Sequence, residues 1–523
     1  QHSQLERFPQ RLTFNLQPFY NAPPNTHKII MKINLTWIKT YLKRKERWLS
    51  GALSALLLIG WVVFLLGFVF AHGVCCADDA NMALIAKHLS QGDFSDLDRP
   101  LGPYLPLFLS TIVFIKIFGA TYWVPGISAL FLNAVLLFLI GTLLRKYHKG
   151  YRHSLAVLLF FLLNYALMAY HLEQWYALLG EITAGLLLIL GGLLLFQGES
   201  YLYSFLSGLS FSLAFLTKFV AVIGFLGWLA ALLILGVSSL FRKSDSDMFV
   251  RFLDLPSTSI GFFLPLLALV IVGNQLAGTI QVQELLNQVV PYFSEHVIEQ
   301  VVVSYADIQT RISVIQIRFG VPFALQMAVV VLAGLFVFNA RKLRVLHFGF
   351  FSVVLFYSLY WALASVGRPR HYIVPLLLLI LIFILPALSS LSGKRMGIYL
   401  LALFVLSSFT WSKLSLPIIN LEGHFYTPTN KTQTLVEVSA DITKNINDEL
   451  ILIQNYNTFM DIWYLAENDL HVRYFSESRS YQTPFWIAIN TKFMNQGDPA
   501  FVRLLRECSG LRDYEGYLVG RCE

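Results

Sequence analysis

Apolar residues in this chain come in long unbroken runs near 49–71, 122–144, 154–171, 175–197, 201–218, 219–240, 257–277, 320–340, 345–365, 371–391 and 397–417. A helix needs roughly 20 such residues to cross a hydrocarbon core of about 30 Å. The runs lack the alternation of barrel strands. Backbone polar groups in lipid must be satisfied within the segment, so the pattern predicts helices, about eleven of them crossing a bilayer. One further apolar stretch, Leu105–Phe118, is shorter. At 1.5 Å per residue it reaches only about 21 Å, and counting it as a crossing would reverse the side of every later loop. We read it as an interfacial or re-entrant helix that leads into the 122–144 span.

After about residue 418 the pattern changes. Strand-length runs at Leu450–Gln454, Leu470–Phe475 and Phe485–Asn490 alternate with helix-like stretches near 433–446 and 499–507, which predicts a small α/β domain over 418–523. The chain thus divides into an N-terminal segment 1–48, a membrane domain 49–417 and this C-terminal domain. The first thirty residues are polar, rich in Pro, Asn and Gln, and are expected to be disordered. Met31, just before a basic run and the first span, is a candidate start.

Composition agrees with a lipid solvent, since 56% of the 523 residues are hydrophobic, 13% are charged and the mean hydropathy is +0.61. The net charge of +8 is no sign of nucleic-acid binding, because the bases sit in short loops at helix ends. Lys43, Arg44, Lys45 and Arg47 precede the first span. Arg145, Lys146, Lys149 and Arg152 fill a later loop, and Arg242, Lys243, Arg341, Lys342, Arg344, Lys394 and Arg395 follow the same pattern. Placing these loops in the cytoplasm satisfies the positive-inside rule and puts the N-terminus inside and the C-terminus outside. Two long loops, 72–103 and 278–319, then fall on the outer side. The second has helix-like spacing suited to the membrane surface. Of the four cysteines, Cys508 and Cys522 lie in the external domain and are expected to pair in an oxidising compartment. Cys75 and Cys76 have no His or Cys partner at ligand spacing and are expected to be packing thiols. No Walker or Rossmann motif is present, which leaves ATP-driven transport and dinucleotide chemistry without support.

Candidate chemistry gathers on the outer side. Asp78 and Asp79 open a helix of amphipathic pattern straight after the first span. One acid there serves as a cap, but a second adds like-charge repulsion unless something outside the helix uses it. Asp98, Arg99 and Pro100 precede Tyr104 where the chain re-enters the apolar phase. Glu173 and Glu181 lie around an expected turn at 172–181, Lys218 sits in the segment Leu216-Thr217-Lys218-Phe219, and Arg368, Pro369, Arg370, His371 and Tyr372 lie between two spans. Charge at membrane depth points to function, although Lys218, Arg368 and Arg370 could instead snorkel.

In this order and spacing the residues resemble the GT-C superfamily of membrane glycosyltransferases, with the lipid A aminoarabinose transferases and protein O-mannosyltransferases the most similar branches. Asp78 matches the first acid of that family's acidic pair, and Asp98-Arg99-Pro100 its acid-base-Pro element. Glu181 falls where the family often has another acid, Gly208–Phe219 matches its Leu-Thr-Lys helix, and Arg368 to Pro375 its Arg-Tyr-x-x-Pro element. Asp79 departs from the usual Glu, Met82 from a common aromatic and Pro103 from a Pro-Pro pair.

The resemblance implies transfer of a sugar from a polyprenyl-phosphate donor to a glycan, lipid or protein acceptor at the outer face of a bacterial inner membrane. It makes Asp78 the expected general base of an inverting displacement and Asp98 a second catalytic carboxylate that orients the acceptor or shares the base role. Asp79, Arg99, Tyr104, Glu181, Lys218, Arg368, Arg370 and Tyr372 become the expected substrate contacts. No cofactor is expected, with a divalent cation on the clustered acids as the alternative. A secondary transporter of a small polar solute is the rival reading.

Overall fold

The computed structural model describes residues 77–92, 104–121, 123–147, 175–197, 200–241, 255–277, 344–363, 437–444, 446, 451–453, 472–474, 484–490, 499–514 and 517–522. The expected spans at 49–71, 154–171, 320–340, 371–391 and 397–417, and the loop 278–319, lie outside them.

Eight helices in the described part of 77–363 account for the remaining apolar runs. They are α1 (Ala77–Gln91), α2 (Leu105–Phe118), α3 (Val124–Tyr147), α4 (Trp175–Gln197), α5 (Tyr201–Thr217), α6 (Ala221–Phe241), α7 (Leu255–Ala277) and α8 (Arg344–Leu363). Val124–Leu144 and Leu255–Val272 are long and apolar enough to cross a membrane, and shorter apolar stretches run through α2, α4, α5, α6 and α8. Outward-facing Phe131 and Phe138 on α3 and Ile260, Phe263, Leu264 and Leu267 on α7 form broad apolar faces. In water such patches would be costly, and in lipid they are the ordinary helix exterior.

Small residues let these helices approach closely. A Cβ at Gly208 of α5 would overlap the Thr258 carbonyl of α7, and one at Gly261 of α7 would overlap the Phe205 carbonyl of α5. The two helices therefore meet backbone to backbone, the close approach that small residues at a helix interface permit. Gly192 of α4 and Gly349 of α8 leave the hollow that Trp228 of α6 fills, and Phe196 and Phe350 close it with ring centroids 5.4 and 4.8 Å from the indole.

The short stretch expected to be interfacial or re-entrant is α2, and its helix has the expected bounds. It folds back along the first part of α3 as a hairpin. Thr111 and Ser128 hydroxyls are 2.7 Å apart, Ser110 Oγ donates to the Ser128 carbonyl at 2.9 Å, and the Phe114 and Phe131 rings lie 5.5 Å apart. Two expectations for this region need correction. Helix α1, expected to be amphipathic, has no exposed face over residues 83–88: all are buried, Lys87 and His88 included, and α2 and α4 pack against it. Nor is Glu181 in a turn, since α4 begins at Trp175 and carries Glu181 in its second turn.

The C-terminal part forms a five-stranded sheet of order β2-β1-β3-β5-β4, from β1 (Ile451–Ile453), β2 (Val472–Tyr474), β3 (Phe485–Asn490), β4 (Ser509–Tyr514) and β5 (Tyr517–Cys522). The first three strands are parallel and the last two antiparallel. Helix α9 (437–444) precedes β1, and α10 (Pro499–Glu507) follows β3. Phe501 and Leu505 of α10 pack on Leu452, Phe485, Ile487 and Ile489 of the sheet. The expected strands and the 499–507 helix are present, and β4 and β5 are two further strands outside the runs that the sequence pattern singled out. Cys508 and Cys522 form a disulfide, with Cα atoms 4.3 Å apart, that ties the end of α10 to the last strand.

Candidate functional site

Three residues from separate stretches of the chain meet at the tip of the α5–α6 hairpin. Helix α5 ends at Thr217, and Lys218 leaves the helix in extended conformation (φ −151°, ψ 121°) while its N–H still bonds the Ala214 carbonyl at 2.9 Å. The chain reverses within three residues, the Ala221 N–H returning to the Lys218 carbonyl at 2.8 Å. This tight reversal holds the Lys218 stem inward. Its Nζ lies 3.3 Å from Glu181 Oε1 of α4, and the two side chains are only 12% and 6% exposed. A charged pair so enclosed is held because each ion offsets the other's lost hydration.

The third member is Tyr104, immediately before α2. Its ring lies under the Lys218 ammonium, 4.4 Å from Nζ to the ring centroid, and its N–H donates to the Thr217 carbonyl at 2.9 Å. The ring occupies space that Gly180 vacates on α4, where a Cβ would overlap it. Gly180 and Glu181 thus act as neighbours in sequence, the first admitting the ring and the second binding the cation above it. Two residues on, Thr183 Oγ1 donates to Asn133 Oδ1 of α3 at 2.9 Å, while the buried Asn133 Nδ2 has no hydrogen-bond partner among the described residues. Sequence reasoning passed over Asn133 and Thr183. The signal was there, an amide and a hydroxyl inside otherwise apolar helices, but neither carries charge.

Of the expected site residues, then, Tyr104, Glu181 and Lys218 come together. Asp78 and Asp79 fall in the first turn of α1, with their side chains outside the described part, and Asp98, Arg99, Arg368, Arg370 and Tyr372 lie wholly outside it. Among the described residues no three His, Cys, Asp or Glu side chains are grouped to hold a metal.

The arrangement of helices and sheet matches a known architecture. The chain has the fold of ArnT. ArnT from Cupriavidus metallidurans, solved bound to undecaprenyl phosphate, superposes with a TM-score of 0.56 at 13% identity over 89% of this chain and 97% of its own. The apo form of the same ArnT gives a TM-score of 0.56 at 13% identity, with 98% of that chain covered. At this identity the likeness is one of fold, and it agrees with the architecture that the resemblance in sequence led us to expect. No protein-family model and no curated protein sequence matches this chain.

Proposed function

We propose that this protein is a membrane glycosyltransferase that moves a sugar from a polyprenyl-phosphate donor to an acceptor hydroxyl at the outer face of the membrane. The observation that carries this reading is the ArnT-like fold running through 89% of the chain. The buried Lys218 beside Glu181 and Tyr104 supports it, because such a donor needs cationic groups for its phosphate.

In the proposed reaction the acceptor hydroxyl gives its proton to Asp78 and attacks the anomeric carbon from the face opposite the phosphate. The bond from that carbon to the phosphate oxygen breaks, the anomeric centre inverts, and the lipid phosphate departs with its full negative charge. Arg99, Lys218, Arg368 and Arg370 stabilise that charge. Asp98 orients the acceptor or shares the base role, and Asp79 and Glu181 take sugar hydroxyls. No cofactor takes part, so a chelator leaves the rate unchanged. The protein sits in a bacterial inner membrane with its N-terminus cytoplasmic and its C-terminal domain outside, the chain crossing about eleven times as the apolar runs indicate.

The test is transfer of radiolabelled sugar from undecaprenyl phosphate by membranes that hold the full chain. Label passes to a lipid, polysaccharide or protein fraction with wild-type protein. Asp78→Asn at equal membrane insertion loses that transfer. Wild-type rate in Asp78→Asn would remove Asp78 from the base role.

A further inference from the structure

Tyr104 is the one residue other than glycine with positive φ among the described residues, at φ 76° and ψ 12°. A bulky side chain in the left-handed region is strained, and such strain persists only where the surroundings fix it. Here four contacts do so. The N–H is held by Thr217 O, the carbonyl accepts from the Phe108 N–H at 2.9 Å to start α2, the ring fills the Gly180 hollow, and the ring face meets Lys218. If this position served only to turn the chain, glycine would do it without strain. What glycine cannot supply is the ring.

We infer that Tyr104 is a positioning residue: its ring, seated in the hollow at Gly180, is the platform that holds the Lys218 ammonium against Glu181. The sequence placed Tyr104 among substrate contacts; the geometry gives it work through Lys218 instead, with its ring buried between two helices at 4% exposure. A cation over an aromatic face gains most where water is excluded, as it is here. Gly180 belongs to the same device, because any side chain there evicts the ring. Lys218 serving the donor phosphate rests on the function proposed above. The platform itself does not.

Two readouts on the purified full-length protein separate these. The first is acetylation of Lys218 by acetic anhydride, followed by mass spectrometry. The second is equilibrium binding of undecaprenyl phosphate. Tyr104→Gly relaxes the backbone and removes the ring. It is expected to raise Lys218 labelling several-fold and weaken lipid-phosphate binding by about tenfold. Gly180→Ala acts in the same direction from the other helix, and Tyr104→Phe keeps both readouts at wild-type values. In a Lys218→Gln background, Tyr104→Gly causes no further loss of binding. Unchanged labelling in Tyr104→Gly overturns the inference, as does Tyr104→Phe behaving like Tyr104→Gly, or loss of binding that is additive with Lys218→Gln. Should the labelling pattern hold while wild-type protein binds no undecaprenyl phosphate, the platform stands and the transferase reading falls.

Discussion

Lys218 Nζ and Glu181 Oε1 lie 3.3 Å apart in a nearly enclosed site, joining the residue that follows α5 to the second turn of α4. Removing one ion from such a pair strands the other in a medium that hydrates it poorly. Glu181→Ala is therefore expected to lower stability by about 3 kcal/mol, read as thermal unfolding in detergent. The double variant Glu181→Leu with Lys218→Met recovers most of that stability and none of the activity. A double variant as unstable as the single one would show that packing, not the stranded charge, sets the loss.

The Asp78 assignment rests on its place in the first turn of α1 and on the order of the acidic motif in the sequence. A general base typically contributes about 10² to 10⁴ in rate. Asp78→Asn should lower sugar transfer by that order, with expression and insertion unchanged. A drop of less than about fivefold would assign the carboxylate to capping the helix.

Trp228 gives a prediction about the scaffold. Its indole is fully buried, and a Cβ at either Gly192 or Gly349 would overlap it. Gly192→Val is expected to cost about 2 kcal/mol through overpacking. Pairing it with Trp228→Leu should restore part of the loss. Thermal unfolding of the three variants checks this.

The Cys508–Cys522 bridge closes a loop of 14 residues between α10 and β5. A loop of that size is worth about 3 kcal/mol through the unfolded chain. Cys508→Ser with Cys522→Ser should make the 418–523 region more sensitive to limited proteolysis. The helices from α2 to α8 should keep their protection.

Much of this molecule was legible in sequence because lipid imposes a simple rule. Helices α3 to α8 follow from unbroken apolar runs, and Lys218, Glu181 and Tyr104 stand out as polar groups at the ends or within those runs. Strand β4 did not show, because Ser-Gly-Leu-Arg-Asp-Tyr lies on a largely exposed edge and carries no apolar alternation, and in β5 the apolar run Tyr517-Leu518-Val519 is cut short by Gly520 and Arg521. The burial of α1 was not legible because Lys87 and His88 break its apolar pattern, and the packing that encloses them comes from elements distant in sequence, α4 among them. The coupling of Tyr104 to Gly180 is a property of two helices meeting, which no local spacing encodes.

The central claim is transfer from a lipid-linked donor, and the most direct measurement follows radiolabelled sugar on undecaprenyl phosphate in sealed vesicles that contain the full chain. Label is expected to leave the donor for an acceptor fraction, with release of undecaprenyl phosphate and loss of both in Asp78→Asn. Label that stays on the donor while the vesicles take up a small polar solute would contradict it and favour a transporter.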